Sequence, residues 1–191
     1  MRRLLFALPL ALLPLFASAH EHEHEHEHEH EHEHGSLGAH EHGVGSLNVA
    51  LDGQTLELDL DSPSINIVGF EHVASTEAEK ANVAAVRAQL ENPLALFNVP
   101  KAGHCTVEQK TLKSPLFEAN SEQGAAKTEH AHSDIEAHYV FTCSQPDALK
   151  SLDLAPFFST FPATQKIKVQ LIGPKGQQGV EVTPKAPGVR F

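Results

Sequence analysis

Residues 20–34 alternate histidine and glutamate without a break, placing eight imidazoles among seven carboxylates. The histidines are His20, His22, His24, His26, His28, His30, His32 and His34. Neutral imidazole is a preferred ligand of zinc, copper and nickel, and an unperturbed ring is largely neutral at pH 7. In an extended segment alternate residues share a face, about 6.6 Å apart at a rise of about 3.3 Å per residue. A chain able to curl can bring neighbouring rings around one ion. At about four ligands per zinc, eight histidines hold roughly two ions. Ordering such a segment at each binding event opposes binding, so several weak, quickly exchanging ions are expected rather than one caged ion. Protonation competes with the metal, so capture should fade near pH 5 to 6.

Two bland explanations of the repeat fit less well. A purification tag would not sit behind an export signal and run on into the similar His40-Glu41-His42. An acidic spacer would need only aspartate and glutamate. The protease pattern H-E-x-x-H, as in His22-Glu23 with His26, is an accident of the repeat, because it has meaning only on a stable helix with a third ligand.

Other candidate ligands are sparser. His40 and His42 form an i, i+2 pair, Glu71-His72 follows an apolar run, and His130 and His132 form a second pair. Asp134, Glu136 and His138 continue the parity of that pair, so one extended face could carry all five. The metal-ligating set is therefore the eight repeat histidines with His40, His42, His72, His130, His132 and His138. His104 is expected to be a surface residue. No G-x-S-x-G, no Gly-rich phosphate loop and no activated serine or cysteine is legible, so the chain is read as non-enzymatic.

The segment ahead of the repeat has the parts of a secretory signal: Arg2 and Arg3, an apolar run over 4–16, and Ala17-Ser18-Ala19 for cleavage. The apolar run falls short of the roughly 20 residues that span a bilayer, and no cysteine near the cleavage point suggests a lipid anchor. A mature periplasmic protein starting at His20 is expected. Without Arg2 and Arg3 the formal charge falls from −11 to −13, with 25 Asp+Glu remaining. Such a field repels nucleic acid and anionic membranes and attracts cations. In an oxidising compartment the two cysteines, Cys105 and Cys143, read first as a disulfide, worth roughly 4 kcal/mol for a loop of that length.

The elements that must position these side chains lie beyond a Gly-rich tether. Alternation over 47–51 and 55–60 around Asp52-Gly53 predicts a hairpin, and 64–70 reads as a third strand. Thr76 and Glu79 fit a capping box opening a helix whose face carries Val83, Val86 and Leu90, stopped at Asn92-Pro93. Strands are expected over 105–112 and 133–143, a short helix over 155–161, and a last hairpin of 167–172 with 180–183. The expected domains are a signal peptide (1–19), a disordered His/Glu-rich metal-binding tail with its tether (20–46), and an α+β domain (47–191). That domain should be mostly antiparallel sheet with one main helix and a short second one.

The chain resembles the histidine-rich, zinc-regulated periplasmic proteins of Gram-negative bacteria, the ZrgA-like family. The resemblance is carried by His40-Glu41-His42-Gly43 with Leu47-Asn48-Val49-Ala50, and by the block from Ser62-Pro63-Ser64 to Val68-Gly69-Phe70-Glu71-His72. It continues through residues 130–139, Phe141-Thr142-Cys143 and residues 157–162. It implies a zinc-binding accessory protein, made when zinc is scarce, that supports a high-affinity zinc ABC importer, with the importer's substrate-binding component as partner. Family members carry histidine clusters at the mature N-terminus and in an internal loop. Here the internal cluster is thin and the N-terminal one long, which moves the expected binding towards the tail. Two alternatives stand beside this: a metal-dependent hydrolase whose tail loads a catalytic zinc, and a binder of nickel, cobalt or copper.

Overall fold

Alternating side chains build the framework in the computed structural model, which describes residues 41–118 and 133–191. The first half comprises β1 (Val44–Asp52), β2 (Thr55–Pro63), α1 (Ser64–Ile67), α2 (Glu77–Leu90), α3 (Pro93–Leu96), β3 (Cys105–Lys113) and α4 (Pro115–Glu118). The second comprises β4 (Asp134–Cys143), β5 (Ser151–Asp153), α5 (Ala155–Thr160), β6 (Lys166–Gly173), β7 (Gly176–Val182) and β8 (Gly188–Arg190). Six strands form one sheet in the order β3-β4-β2-β1-β6-β7, and β5 pairs with β8 separately. Every neighbouring pair runs antiparallel except β1 and β6, which run parallel. The fold is α+β and mostly antiparallel, as the alternation predicts.

Leu47, Val49 and Leu51 of β1, Leu56, Leu58 and Leu60 of β2, and Ile135, Ala137, Tyr139, Phe141 and Cys143 of β4 are buried. Successive strand residues point to opposite faces, so one face of the sheet is apolar and carries the core. Val83, Val86 and Leu90 of α2 and Phe157 and Phe158 of α5 join that core. Phe97 packs edge-on to Tyr139 at 5.6 Å between ring centroids and stacks with Phe157 at 5.8 Å. The Tyr139 hydroxyl donates to Leu90 O at 2.8 Å, and burial raises its pKa, so the phenol keeps its proton. The opposite face bears Asn48, Asp59, Glu136 and His138, which line a depression of about 540 Å³.

The β1–β2 hairpin turns through Gly53 and Gln54, since Asp52 pairs with Thr55. Gly53 takes φ +54°, the left-handed conformation that a two-residue hairpin loop requires. The Asp-Gly signal thus marks the hairpin one residue ahead of its loop. The Thr76 capping box is present in full, with Glu79 Oε2 accepting from Thr76 N at 2.9 Å and Thr76 Oγ1 accepting from Glu79 N at 3.2 Å. β3, β4, α5 and the β6–β7 hairpin fall where alternation and turn residues put them.

Residues 64–70 are not a strand. They form the single turn α1 and a bend, closed by Val68 N donating to Ser64 O at 2.8 Å and Gly69 N donating to Ile65 O at 3.1 Å. A short apolar run does not distinguish a buried strand from a buried helical turn. Here Asn66, 2% exposed, spends its side chain on the entry of β1, and only a turn points it there.

Candidate metal centre

Three histidines of the expected ligand set, His42, His72 and His138, lie among the described residues, as does His104, which is expected only at the surface. The eight repeat histidines, His40, His130 and His132 lie outside the described residues, as do the expected signal peptide and residues 20–40 of the expected tail. The last residues of the expected tether, 44–46, are instead the start of β1, because they pair with β6 and, at Ser46, also with β2. The expected continuous face from His130 to His138 is therefore described only from Ser133 onward, with β4 starting at Asp134.

His42 stands just before β1 and is fixed by the backbone that follows it. Gly43, at φ +84°, donates its N–H to Asn66 Oδ1 at 2.6 Å, while Asn66 Nδ2 donates to Val44 O at 3.0 Å and to Ser62 Oγ at 3.1 Å. Gly43 O accepts from Gln165 N at 2.7 Å and Lys166 N at 3.0 Å. So held, His42 places Nε2 3.4 Å from Glu71 Oε1. Asn66→Ala would strip buried partners from Gly43 and Val44 and is expected to destabilise by about 2 kcal/mol. Urea unfolding checks this; an unchanged midpoint would contradict the clamp.

His72 stacks on Phe70 with centroids 4.8 Å apart and 17° between planes. Its Nδ1 lies 3.1 Å from Val73 O, an acceptor, so in the neutral ring Nδ1 carries the hydrogen. The lone pair then sits on Nε2, 3.7 Å from Glu79 Oε1. Backbone N–H groups of Thr76 and Ser75 donate to Glu79 and hold its pKa down to about 2. The Glu79 carboxylate is thus ionised at every pH where imidazole binds metal.

His138 lies directly across from Asp59 on β2 and Thr111 on β3. Its Nδ1 meets Asp59 Oδ1 at 2.5 Å, which places the hydrogen on Nδ1 and leaves Nε2 as the available lone pair. A carboxylate that orients an imidazole in this way is the usual support of a metal-binding histidine. His104 is exposed, at φ 47° after a short turn, as its expected surface role requires. Cys105 and Cys143 are joined in a disulfide, so neither offers a thiolate.

The carboxylates Asp59, Glu71 and Glu79 are what sequence reasoning leaves out of the site. Glu71 and Glu79 had a signal available, one as the neighbour of His72 and the other as a cap. Asp59 had none apart from strand register. Among the described residues no three His, Cys, Asp or Glu side chains already converge on a metal position. The described residues present oriented His–carboxylate pairs rather than a closed cage.

Comparison with known proteins settles the family. A model described as ZrgA family zinc uptake protein matches residues 39–191. The chain belongs to the ZrgA family. A comparison with curated proteins finds no match. Membership groups the chain with zinc uptake proteins rather than with an enzyme family. The ZrgA match includes His40, His42, His72, His130, His132 and His138 and leaves residues 20–34 outside. Among the described residues of this ZrgA family member, no helix is long and apolar enough to cross a membrane.

Proposed function

We propose that this protein is a periplasmic zinc-binding accessory factor that captures zinc on its histidines and supports delivery to a high-affinity ABC importer. The observation that carries this reading is the uninterrupted repeat of eight histidines and seven glutamates in a chain of the ZrgA zinc uptake family. His20, His22, His24, His26, His28, His30, His32 and His34 are the main ligands. His40, His42, His72, His130, His132 and His138 add to them. The glutamates raise the local cation concentration and keep bound charge from accumulating. The partner is the importer's substrate-binding component, and the signal-like residues 1–19 support the compartment.

Zinc is preferred to nickel, cobalt or copper on the family match, because imidazole chemistry alone ranks copper above zinc. Titration of the mature protein with zinc, nickel and copper, with and without residues 20–34, tests the reading. Intact protein is expected to bind several exchangeable zinc ions, and the shortened form about two fewer. An unchanged ion number and affinity after deletion would remove the repeat from the function. A single tight ion with hydrolytic turnover would favour an enzyme instead. Loss of the gene should also impair growth in chelated medium.

A further inference from the structure

Both stretches that lie outside the described residues and carry histidines join the fold at the same corner. The one bearing the repeat enters through His42 and Gly43, and Gly43 is pinned by Asn66. The one containing His130 and His132 rejoins at Ser133. Ser133 O accepts from Ser64 N at 2.8 Å, and its hydroxyl donates to Glu71 O at 3.0 Å. Ser64, Asn66 and Glu71 belong to one short connection after β2, so the two junctions share an anchor. Glu71 sits between them, its side chain 15% exposed against 57% for His42. His72 follows, 61% exposed.

We propose that His42, Glu71 and His72 form an acceptor site for a divalent cation on the folded domain, receiving ions gathered by the repeat. This rests on the capture function proposed above and adds the place to which captured zinc is passed.

The distances choose this corner over the sheet face. Two ligands each about 2.05 Å from a tetrahedral zinc lie about 3.3 Å apart. His42 Nε2 and Glu71 Oε1 stand at 3.4 Å, the edge of such a tetrahedron and longer than a good hydrogen bond. The His138–Asp59 pair, at 2.5 Å, is too close for two ligands of one ion and is a hydrogen bond. Shielding of Glu71 from water strengthens its attraction for a cation. The exposed His72, next in sequence, supplies the third ligand by giving up its stacking on Phe70 and its 3.7 Å approach to Glu79. Three protein ligands leave a fourth position for water or an incoming histidine, the arrangement from which an ion can be exchanged.

The test uses the full mature chain with the eight repeat histidines, His40, His130 and His132 replaced by serine, titrated with zinc while histidine ring protons are followed by NMR. The His42 and His72 resonances are expected to shift together at the first equivalent, with those of His104 and His138 unmoved. Loss of even an outer partner of a metal ligand costs about 10–100-fold in affinity. His42→Ala and Glu71→Gln should therefore each weaken this ion at least about tenfold. His42→Ala alters only an exposed side chain and keeps the test decisive if Glu71→Gln fails to fold. First-equivalent shifts confined to His104 or His138, or His42→Ala binding as tightly as its parent, would overturn the proposal. Failure of the capture function is separate: it would show as the repeat alone being replaced with no ion lost.

Discussion

Zinc bound at pH 7 is expected to leave the repeat almost completely at pH 5. Each ligating imidazole must be neutral, and an unperturbed ring titrates near pH 6.5. Below that point every pH unit lowers affinity by up to about tenfold per histidine ligand. An ion held by four histidines would therefore lose about six decades between pH 6.5 and 5. Free carboxylates titrate near 4.3, so at pH 5 the segment holds eight imidazolium charges against seven carboxylates and is close to neutral. At pH 7 the same segment is strongly anionic, which adds attraction for cations to the supply of lone pairs. Equilibrium dialysis against zinc at pH 7, 6 and 5 measures this on the intact chain and on one with the eight histidines replaced by serine. The intact chain should lose about two ions between pH 7 and pH 5, and the serine variant should already lack them at pH 7. An ion count that does not change with pH would show that the imidazoles are not the ligands.

The alternation of apolar and polar residues made most of the sheet readable. In β4, Ile135, Ala137, Tyr139, Phe141 and Cys143 all face the core because a strand held between two neighbours with one solvated face must repeat every two residues. The helix at Thr76 was readable because a capping box is a local device whose partners lie three residues apart. Residues 64–67 defeated the same approach, since Ser-Ile-Asn-Ile carries no periodicity long enough to separate helix from strand. What decides them is Asn66 reaching Gly43, 23 residues away. The parallel pairing of β1 with β6 was equally invisible, being a contact between distant segments that no turn residue announces.

The candidate site divides along the same line. Histidines declare themselves by type, so His42, His72 and His138 could be chosen from sequence. Their carboxylate partners depend on register. Asp59 meets His138 only because β2 and β4 align Leu58 with Tyr139, and Glu71 meets His42 only because Asn66 folds the entry of β1 back onto the turn. Where a partner was local, as with Glu79, the sequence showed the residue but gave it the role of a cap. Its second oxygen, facing His72, follows from the turn through Val73 that no local pattern specifies.

Replacing Cys105 and Cys143 together by alanine is expected to destabilise the fold by about 4 kcal/mol without changing the number of zinc ions bound. The two cysteines are direct register partners at the end of the β3–β4 pair and lie 38 residues apart in sequence. Releasing a cross-link over that separation restores about 4 kcal/mol of chain entropy to the unfolded state. β3 is an edge strand whose sheet partner is β4 alone, so the bridge also guards that edge against fraying. At about 2–4 °C per kcal/mol for a chain of this size, the melting temperature should fall by roughly 8–16 °C. Thermal unfolding of the double variant, and of the native protein with and without reductant, measures the loss. Zinc titration of the variant below its transition supplies the control. A sulfur–sulfur bond leaves no thiolate for a metal, so the ion count should stay constant. Loss of a whole ion with the cysteines would mean that they serve the metal, and an unmoved melting temperature would mean that β3 is held by its ladder and packing alone.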